Sequence, residues 1–209
     1  MRRNIVLAAL LLSMVAAGCG TSPTDAAASG TSSTSLPALG DCSPAPVTQP
    51  GMPEFIPGYT EVDPLTGLHM TGTPTLIDVA SWRLEVTGKV DRPLSLTYDE
   101  LRCLPRVEAA PELVCPGYFI DHATWAGAPL SEVLALAGVQ EGASVIYLTA
   151  ADGYFTRIQL NDEALANGIL AYELERETLP VLHGFPVRVV FPEKDGNTWV
   201  KWLVEIEVK

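Results

Sequence analysis

The chain from residue 75 onward consists of short apolar runs separated by glycine, proline and Asp-Gly turn signals. The runs that indicate strands, by alternation of apolar and polar residues or by β-rich composition, are 82–86, 144–150, 154–160, 187–191 and 199–208. Ala151-Asp152-Gly153 joins two of these runs and predicts a tight hairpin. Because short strands outnumber short helices, the pattern predicts an α+β fold with a mixed sheet and short helices.

Three short helices are predicted among these strands. Thr97-Tyr98-Asp99-Glu100 has the spacing of a capping box, so a helix begins there and ends before Pro105. The apolar stripe within 129–137 predicts a second helix that ends at Gly138. Asn161 is suited to cap a third helix that runs through Asn167.

The first 18 residues have the pattern of an export signal. Arg2 and Arg3 precede an apolar run of about a dozen residues, and small residues lead directly to Cys19. Small residues before a cysteine are typical of a bacterial lipobox, so residues 1–18 are predicted to be a lipoprotein signal peptide and Cys19 the site of lipidation. The alternative is an ordinary signal peptide followed by an incidental cysteine. The lipobox interpretation places the protein on the extracytoplasmic face of a bacterial membrane, held there by lipid.

Composition divides the exported part into three segments. Residues 19–50 are rich in small and polar residues, and they predict a flexible tether. Residues 51–74 combine prolines with large apolar residues, so we expect a strap that lies on the folded domain. The folded domain itself is predicted at 75–209.

The charge balance limits the partners of the chain. Its 209 residues carry a formal net charge of −12, with 13 basic and 25 acidic residues. Nucleic-acid binding requires basic residues that replace phosphate counterions, so a nucleic-acid partner is not expected. Adhesion to anionic lipid through a basic surface is disfavoured for the same reason. A membrane partner is therefore expected only through the lipid anchor.

Three cysteines remain after Cys19, which is an odd number in an oxidising compartment. A disulfide between Cys42 and Cys103 would fix the N-terminal segment to the first helix and leave Cys115 as a free thiol. A disulfide between Cys42 and Cys115 would instead remove any chemical role of Cys115.

Cys115 ends an apolar run and is followed by the turn pair Pro116-Gly117. A thiol at such a junction can face a cleft, where its thiolate binds a soft metal. The alternative is a buried and inert cysteine, since free cysteine is among the most buried residue types.

Three cationic or donor groups lie near the C-terminus in an otherwise acidic chain: His183, Arg188 and Lys201. Glycine and proline after His183 predict an irregular loop that leads into a strand. Such a group of residues is suited to an anion such as a phosphate. The alternative is that the arginine and the lysine are strand-surface charges paired with Glu193 or Glu205.

Several motifs occur together in the order found in one known family. They are Cys115, Thr124-Trp125-Ala126-Gly127-Ala128-Pro129-Leu130, Asp152-Gly153-Tyr154, His183-Gly184-Phe185-Pro186-Val187-Arg188 and Val200-Lys201-Trp202-Leu203. With this set the chain resembles the molybdopterin-binding domain of the sulfite oxidase family, which includes periplasmic methionine sulfoxide reductase catalytic subunits. The resemblance covers about 75–209 and implies a mixed α+β fold around one molybdenum–molybdopterin cofactor.

The resemblance also implies roles for individual residues. Cys115 matches the thiolate ligand of molybdenum, which makes it both the metal ligand and the catalytic residue. His183, Arg188 and Lys201 match residues that hold the pterin and its phosphate. His69 matches an upstream histidine that contacts the cofactor.

One departure from the family bears on the substrate. After the ligand cysteine, sulfite oxidases carry a basic run that helps to bind sulfite, whereas this chain has Tyr118-Phe119-Ile120-Asp121. Together with the export signal and this departure, the resemblance implies an exported oxidoreductase that transfers an oxygen atom in a two-electron reaction on a small substrate other than sulfite. It also predicts an electron-transfer partner protein. The alternative is a cofactor-free lipoprotein that retains the fold as a binding or scaffold module.

Overall fold

A computed structural model describes residues 42–209, so the predicted signal peptide, Cys19 and most of the tether lie outside the described residues. The strands are β1 Leu84–Gly88, β2 Leu94–Leu96, β3 Val107–Ala109, β4 Glu112–Cys115, β5 Phe119–His122, β6 Trp125–Pro129, β7 Val145–Ala150, β8 Phe155–Gln159, β9 Ile169–Leu174, β10 Glu177–Thr178, β11 Arg188–Val190 and β12 Leu203–Val208. The α-helices are α1 Tyr98–Arg102 and α2 Leu130–Ala137. Three single 3-10 turns occupy Glu163–Leu165, Val181–His183 and Gly196–Thr198.

The strands form two five-stranded sheets and one hairpin. The first sheet has the order β2-β1-β12-β7-β8, in which only the β1–β12 pair is parallel. In the second sheet the order is β10-β9-β6-β3, with β11 also paired to β9, and every pair is antiparallel. Strands β4 and β5 pair only with each other. The predicted α+β class with a mixed sheet and short helices is therefore confirmed.

The turn and the caps of α1 and α2 that the sequence predicts form at the expected residues. Asp152-Gly153 lies in the turn of the antiparallel β7–β8 hairpin. The Thr97 hydroxyl accepts from the backbone N–H of Glu100, and the Glu100 carboxylate accepts from the N–H of Thr97, which completes the capping box of α1. Helix α2 ends at Gly138, whose φ of 69° lies in the left-handed region that favours glycine.

The predicted helix at 161–167 is shorter than expected. It is one 3-10 turn, Glu163–Leu165, and its N-terminal cap is Asp162 rather than Asn161. The Asp162 carboxylate accepts from the N–H of Ala164 and forms an ion pair with Lys194 at 2.7 Å. Strand β9 begins only a few residues later, which leaves no room for a second turn.

The predicted strand at 199–208 is confirmed only for its second half, β12. Trp199 ends a 3-10 turn, and Trp202 has a φ of 50°, so residues 199–202 do not belong to a strand. The buried indole of Trp199 donates to the carbonyl of Phe191, and that of Trp202 donates to the carbonyl of Val181. These tertiary hydrogen bonds hold the irregular segment in place.

Both sheets contribute to one hydrophobic core, which α2 also enters. The two sheets are joined at β11, because the N–H of Val189 donates to the carbonyl of Val200 and the N–H of Leu203 donates to that of Val187. This junction brings the start of β11 next to the irregular segment that precedes β12.

Residues 42–74 are attached to the domain along their length. Cys42 forms a disulfide with Cys103, and the side chain of Gln49 accepts from the N–H of Val79. The predicted flexible tether therefore does not extend over 42–50, because a covalent bond and hydrogen bonds fix that part. Further on, the N–H of Asp63 donates to the carbonyl of Leu68 and closes a small hairpin. Among residues 42–209, no helix is long and apolar enough to cross a membrane.

Candidate functional site

Every predicted site residue within the described part of the chain lines one cavity of about 350 Å³. These residues are His69, Cys115, His183, Arg188 and Lys201. They come from five separate places in the fold, so the cavity exists only because the two sheets, the β4–β5 hairpin and the 42–74 segment meet there. Other lining residues include Tyr59, Phe119, Asp121, Asp152, Tyr154 and Trp199.

Arg188 is the first residue of β11, and its side chain is buried. Its guanidinium carbon lies 4.4 Å from the ring centroid of Trp125 and 5.6 Å from that of Trp199. One terminal N–H donates to the carbonyl of His183 at 3.2 Å, whereas Nε has no hydrogen-bond partner among the described residues. Burial lowers the pKa of Arg188 to about 9, so the group is still charged at neutral pH.

Lys201 lies in the irregular segment before β12 and is 8% exposed. Its ammonium donates to the carbonyls of Thr71 at 2.8 Å and Leu182 at 3.0 Å. Burial, followed by the charge of Arg188, holds the pKa of Lys201 well below its ordinary value. An anion next to this group would restore the pKa of the ammonium.

Neither buried cation has a carboxylate at ion-pair distance within residues 42–209. Glu193 instead accepts from Asn167, and Glu205 accepts from Thr87. The alternative interpretation of Arg188 and Lys201 as surface charges paired with these glutamates is therefore excluded.

His183 ends a 3-10 turn and is 1% exposed. Its Nε2 lies 3.0 Å from a carboxylate oxygen of Asp63 and 2.8 Å from the hydroxyl of Thr66. Burial and then the charge of Lys201 outweigh the carboxylate and lower the pKa of His183 to about 4. The imidazole is therefore neutral at neutral pH.

Gly184 allows the side chains of His183, Arg188 and Lys201 to lie close together. Its φ is 114°, and a Cβ at this position would lie 3.1 Å from the Cα of Lys201 and 3.0 Å from the Cβ of Arg188. Any larger residue would separate the backbones that carry the cations. The predicted irregular loop after His183 thus has a steric reason.

His69 reaches the cavity from the segment before the domain and is held by Asp121. The carboxylate of Asp121 accepts from the backbone N–H of His69 at 2.7 Å and lies 2.6 Å from its Nδ1. The imidazole stacks on the ring of Phe119, with centroids 4.2 Å apart and planes inclined by 6°. Strand β5 therefore fixes the orientation of this histidine.

Cys115 ends β4 and is a free thiol, since Cys42 pairs with Cys103. The structure thus adopts the first of the two disulfide alternatives. Burial, and then the negative charges of Asp121 and Asp195, raise the pKa of the Cys115 thiol. Because the protein itself does not favour the thiolate, deprotonation depends on a bound cation such as a metal.

Sequence reasoning did not identify Asp63 and Thr66, which contact His183, or the contact of Asp121 with His69. Asp63-Pro-Leu-Thr66-Gly67 carries the residue types of a tight turn, so its local shape has a sequence signal. The partner of that turn lies 120 residues away in the sequence, and no local pattern reports it.

The chemistry of the lining suits an anionic group that carries a soft metal. Two buried cations without carboxylate partners are costly unless a bound anion offsets their charge. A thiol on the same cavity supplies a soft metal ligand. The unpartnered Nε of Arg188 offers a further donor. A phosphate-bearing metal cofactor therefore fits the residues present.

Comparison with known proteins also points to a phosphate-bearing metal cofactor. Residues 69–209 match the family model described as "Oxidoreductase molybdopterin binding domain". The uncharacterized oxidoreductase YuiH of Bacillus subtilis is 33% identical over 141 residues, which is 67% of this chain and 71% of YuiH. A putative protein-methionine-sulfoxide reductase subunit YedZ1 of Azospira oryzae is 32% identical over 127 residues, or 61% of this chain and 48% of that protein.

A similar fold is found in the crystal structure of the sulfane dehydrogenase SoxCD from Paracoccus pantotrophus. The TM-score is 0.65 at 25% identity, and the match covers 73% of this chain and 44% of that one. The chain thus spans about half the length of YedZ1 and of the SoxCD chain.

Proposed function

Because this chain belongs to the molybdopterin-binding oxidoreductase family, we propose that it is an exported, lipid-anchored enzyme that transfers an oxygen atom in a two-electron reaction on a small substrate other than sulfite. The family implies a molybdopterin cofactor. The observation that carries the proposal is one cavity lined by the Cys115 thiol and by two buried cations, Arg188 and Lys201, that have no carboxylate partner in residues 42–209.

Four of the cavity residues have a definite task in this proposal. Cys115 would provide the thiolate ligand of molybdenum, while Arg188 and Lys201 would offset the charge of the phosphate and His183 would contact the pterin. When bound, the molybdenum centre supplies two-electron redox chemistry with oxygen-atom transfer. The residues bind and orient this group, and the burial of His183, Arg188 and Lys201 keeps bulk water away from their side of the cavity. Electrons would be exchanged with a partner protein.

The substrate part of the proposal is supported by the cavity wall next to Cys115. Phe119 and Asp121 line the cavity there, and the Asp121 carboxylate is directed toward His69. A negative charge at this place disfavours a dianion such as sulfite, and the aromatic residues Tyr59 and Tyr154 add apolar surface. A neutral substrate is compatible with this lining.

Two features support an extracytoplasmic location. The first is the signal pattern that leads to Cys19. The second is the disulfide between Cys42 and Cys103, since stable disulfides are rare in cytosolic proteins and common in exported ones.

The test is the metal content of the full chain purified from its native membrane. We expect about one molybdenum atom per chain, and loss of it on replacement of the ligand in Cys115→Ser. His122→Gln is the matched control, because this exposed histidine lies outside the cavity lining and its variant should retain the metal. A folded wild-type chain without molybdenum would refute the enzyme and leave the cofactor-free module as the function.

A further inference from the structure

A second carboxylate–histidine pair lies at the cavity, and its carboxylate precedes the 69–209 region that matches the family. Asp63 is 3% exposed and lies in the small hairpin before the domain. Its Oδ1 accepts from the N–H of Leu65 at 3.0 Å. Its Oδ2 lies 3.0 Å from the hydroxyl of Thr66 and 3.0 Å from Nε2 of His183.

The protons of this cluster can be assigned from its partners. Burial alone would raise the pKa of Asp63, but hydrogen bonds from Leu65, His183 and Thr66 hold it below its ordinary value. The carboxylate is therefore ionised and only accepts. The single hydroxyl proton of Thr66 points to Asp63, which leaves the Thr66 oxygen as an acceptor toward His183.

Both neighbours of Nε2 are thus acceptors, and Nε2 must carry the proton. A bare Nε2 would place its lone pair against a carboxylate oxygen at 3.0 Å. The imidazole is neutral, so the second ring nitrogen, Nδ1, has a free lone pair. No group among residues 42–209 donates a hydrogen bond to Nδ1, and His183 lines the cavity.

We infer that Asp63 and Thr66 are positioning residues that fix His183 in the Nε2-protonated tautomer and so present Nδ1 to the cavity as a hydrogen-bond acceptor. The inference rests on the proposed function for its ligand: bound molybdopterin would meet His183 with one of its own N–H or O–H donors. Arg188 and Lys201, which line the same cavity, carry only hydrogen-bond donors, so the cavity would offer the cofactor one acceptor in addition to two donors for its anionic end.

The test is nitrogen NMR of the full-length chain labelled with ¹⁵N only in histidine, purified without cofactor. The chain contains three histidines, which makes assignment by single replacements practical. We expect Nε2 of His183 at the protonated position and Nδ1 at the unprotonated position at neutral pH. A protonated Nδ1 in the wild-type chain would overturn the inference, and this spectrum is decisive even if a variant does not fold.

Asp63→Asn gives the second measurement. The amide oxygen must stay at the Oδ1 position to accept from Leu65, so the amide NH₂ takes the Oδ2 position and donates to Nε2. We expect the tautomer ratio of His183 to reverse, from at least about tenfold in favour of Nε2–H to an excess of Nδ1–H. A purely structural role of Asp63 would leave the ratio unchanged in a folded variant, and that result would contradict the inference.

Asp121→Asn is the matched control, because it makes the same carboxylate-to-amide change beside the other histidine of the cavity. It should alter the signals of His69 and leave those of His183 as they are. Since the protein is measured without cofactor, the result does not depend on the proposed function. A chain with the expected tautomer but without molybdenum would refute the enzyme and retain the positioning role.

Discussion

The burial of Arg188 and Lys201 lowers the stability of the folded chain. A buried cation without a paired carboxylate loses hydration and gains little in return. Carbonyl groups and tryptophan rings partly compensate, since Lys201 donates to two carbonyls and Arg188 lies over two indoles. A bound anion would offset this cost, so removing one of the charges should separate stability from binding.

Replacement of Arg188 by methionine tests this separation. A methionine removes the buried charge and keeps most of the volume, so the cofactor-free chain should unfold with an unchanged or larger free energy, by up to about 2 kcal/mol. The molybdenum content of the variant should fall at least about tenfold, because the phosphate of the bound cofactor would lose a charged hydrogen-bond donor. Denaturant unfolding and metal analysis measure the two effects.

The control for Arg188→Met is Arg106→Met. Arg106 is partly exposed and pairs with Glu173 and Glu108 at the surface. Its loss should cost no more than about 1 kcal/mol and leave the metal content unchanged. If Arg188→Met destabilised the cofactor-free chain by several kcal/mol, the arginine would be part of the structural core.

His183 predicts the pH dependence of stability. Its pKa is lowered from 6.5 to about 4 in the folded chain, so between these values the unfolded chain binds a proton that the folded chain does not. The free energy of unfolding should therefore fall as the pH falls through this window, by up to about 3 kcal/mol from this group. Urea unfolding at neutral pH and near the lower end of the window measures it.

The matching variant is His183→Gln, which cannot take up the proton. Its free energy of unfolding should fall less over the same window than that of the wild-type chain. Equal losses in both proteins would mean that His183 is not held neutral by burial.

Among the elements of the fold, the segment 60–71 supplies several of the contacts that hold the cavity residues. Asp63 contacts His183, the carbonyl of Thr71 accepts from Lys201, and His69 pairs with Asp121. One short hairpin with little regular structure thus supports three groups of the cavity. Its place in the fold depends on the chain on either side of it, and the disulfide at Cys42 limits the freedom of the preceding residues.

The double variant Cys42→Ala/Cys103→Ala tests the contribution of this disulfide. The bond closes a loop with a sequence separation of 61, for which loop entropy predicts about 4 kcal/mol of stabilisation. We expect the free energy of unfolding to fall by about 2 to 4 kcal/mol in denaturant titrations. Cys115→Ala is the control, since it removes a thiol that makes no disulfide. A double variant as stable as the control would show that the disulfide does not hold the segment.

Elements with local signals were predictable from the sequence. The capping box at Thr97 and Glu100, the left-handed Gly138 and the Asp152-Gly153 turn each depend on a few adjacent residues. The segment 199–202 was not predictable as irregular, because its β-rich composition favours a strand. Hydrogen bonds from the Trp199 and Trp202 indoles to distant carbonyls outweigh that preference.

The candidate site also contains residues that the sequence predicts and residues that it does not. Cys115, His183, Arg188 and Lys201 belong to motifs that point to an anionic metal cofactor, and the fold gathers them at one cavity. The carboxylates that hold the two histidines were not predictable, because their contacts are created by the fold. Asp121 lies 52 residues from His69, Asp63 lies 120 residues from His183, and only the packed chain brings them together.

The whole molecule combines an acidic surface with a cationic interior site. The formal net charge is −12, and cleavage before Cys19 would remove two arginines and leave −14. Such a protein is repelled by an anionic bilayer. Stable attachment to a membrane, as proposed, would then depend entirely on the lipid at Cys19, and surface electrostatics would oppose it.

Salt and a single replacement distinguish these contributions. At about 1 M salt the Debye length is about 3 Å, so attachment by surface charge is released while attachment by acyl chains is not. We expect the wild-type chain, produced in a bacterium that processes lipoproteins, to stay in the membrane fraction after a high-salt wash. Cys19→Ser, exported behind an ordinary cleavable signal peptide in place of residues 1–18, should appear in the soluble fraction without the wash, because an acidic domain has no other attraction to the bilayer. Release of the wild-type chain by salt alone would mean that charged contacts with a protein partner, and not a lipid anchor, hold it at the membrane.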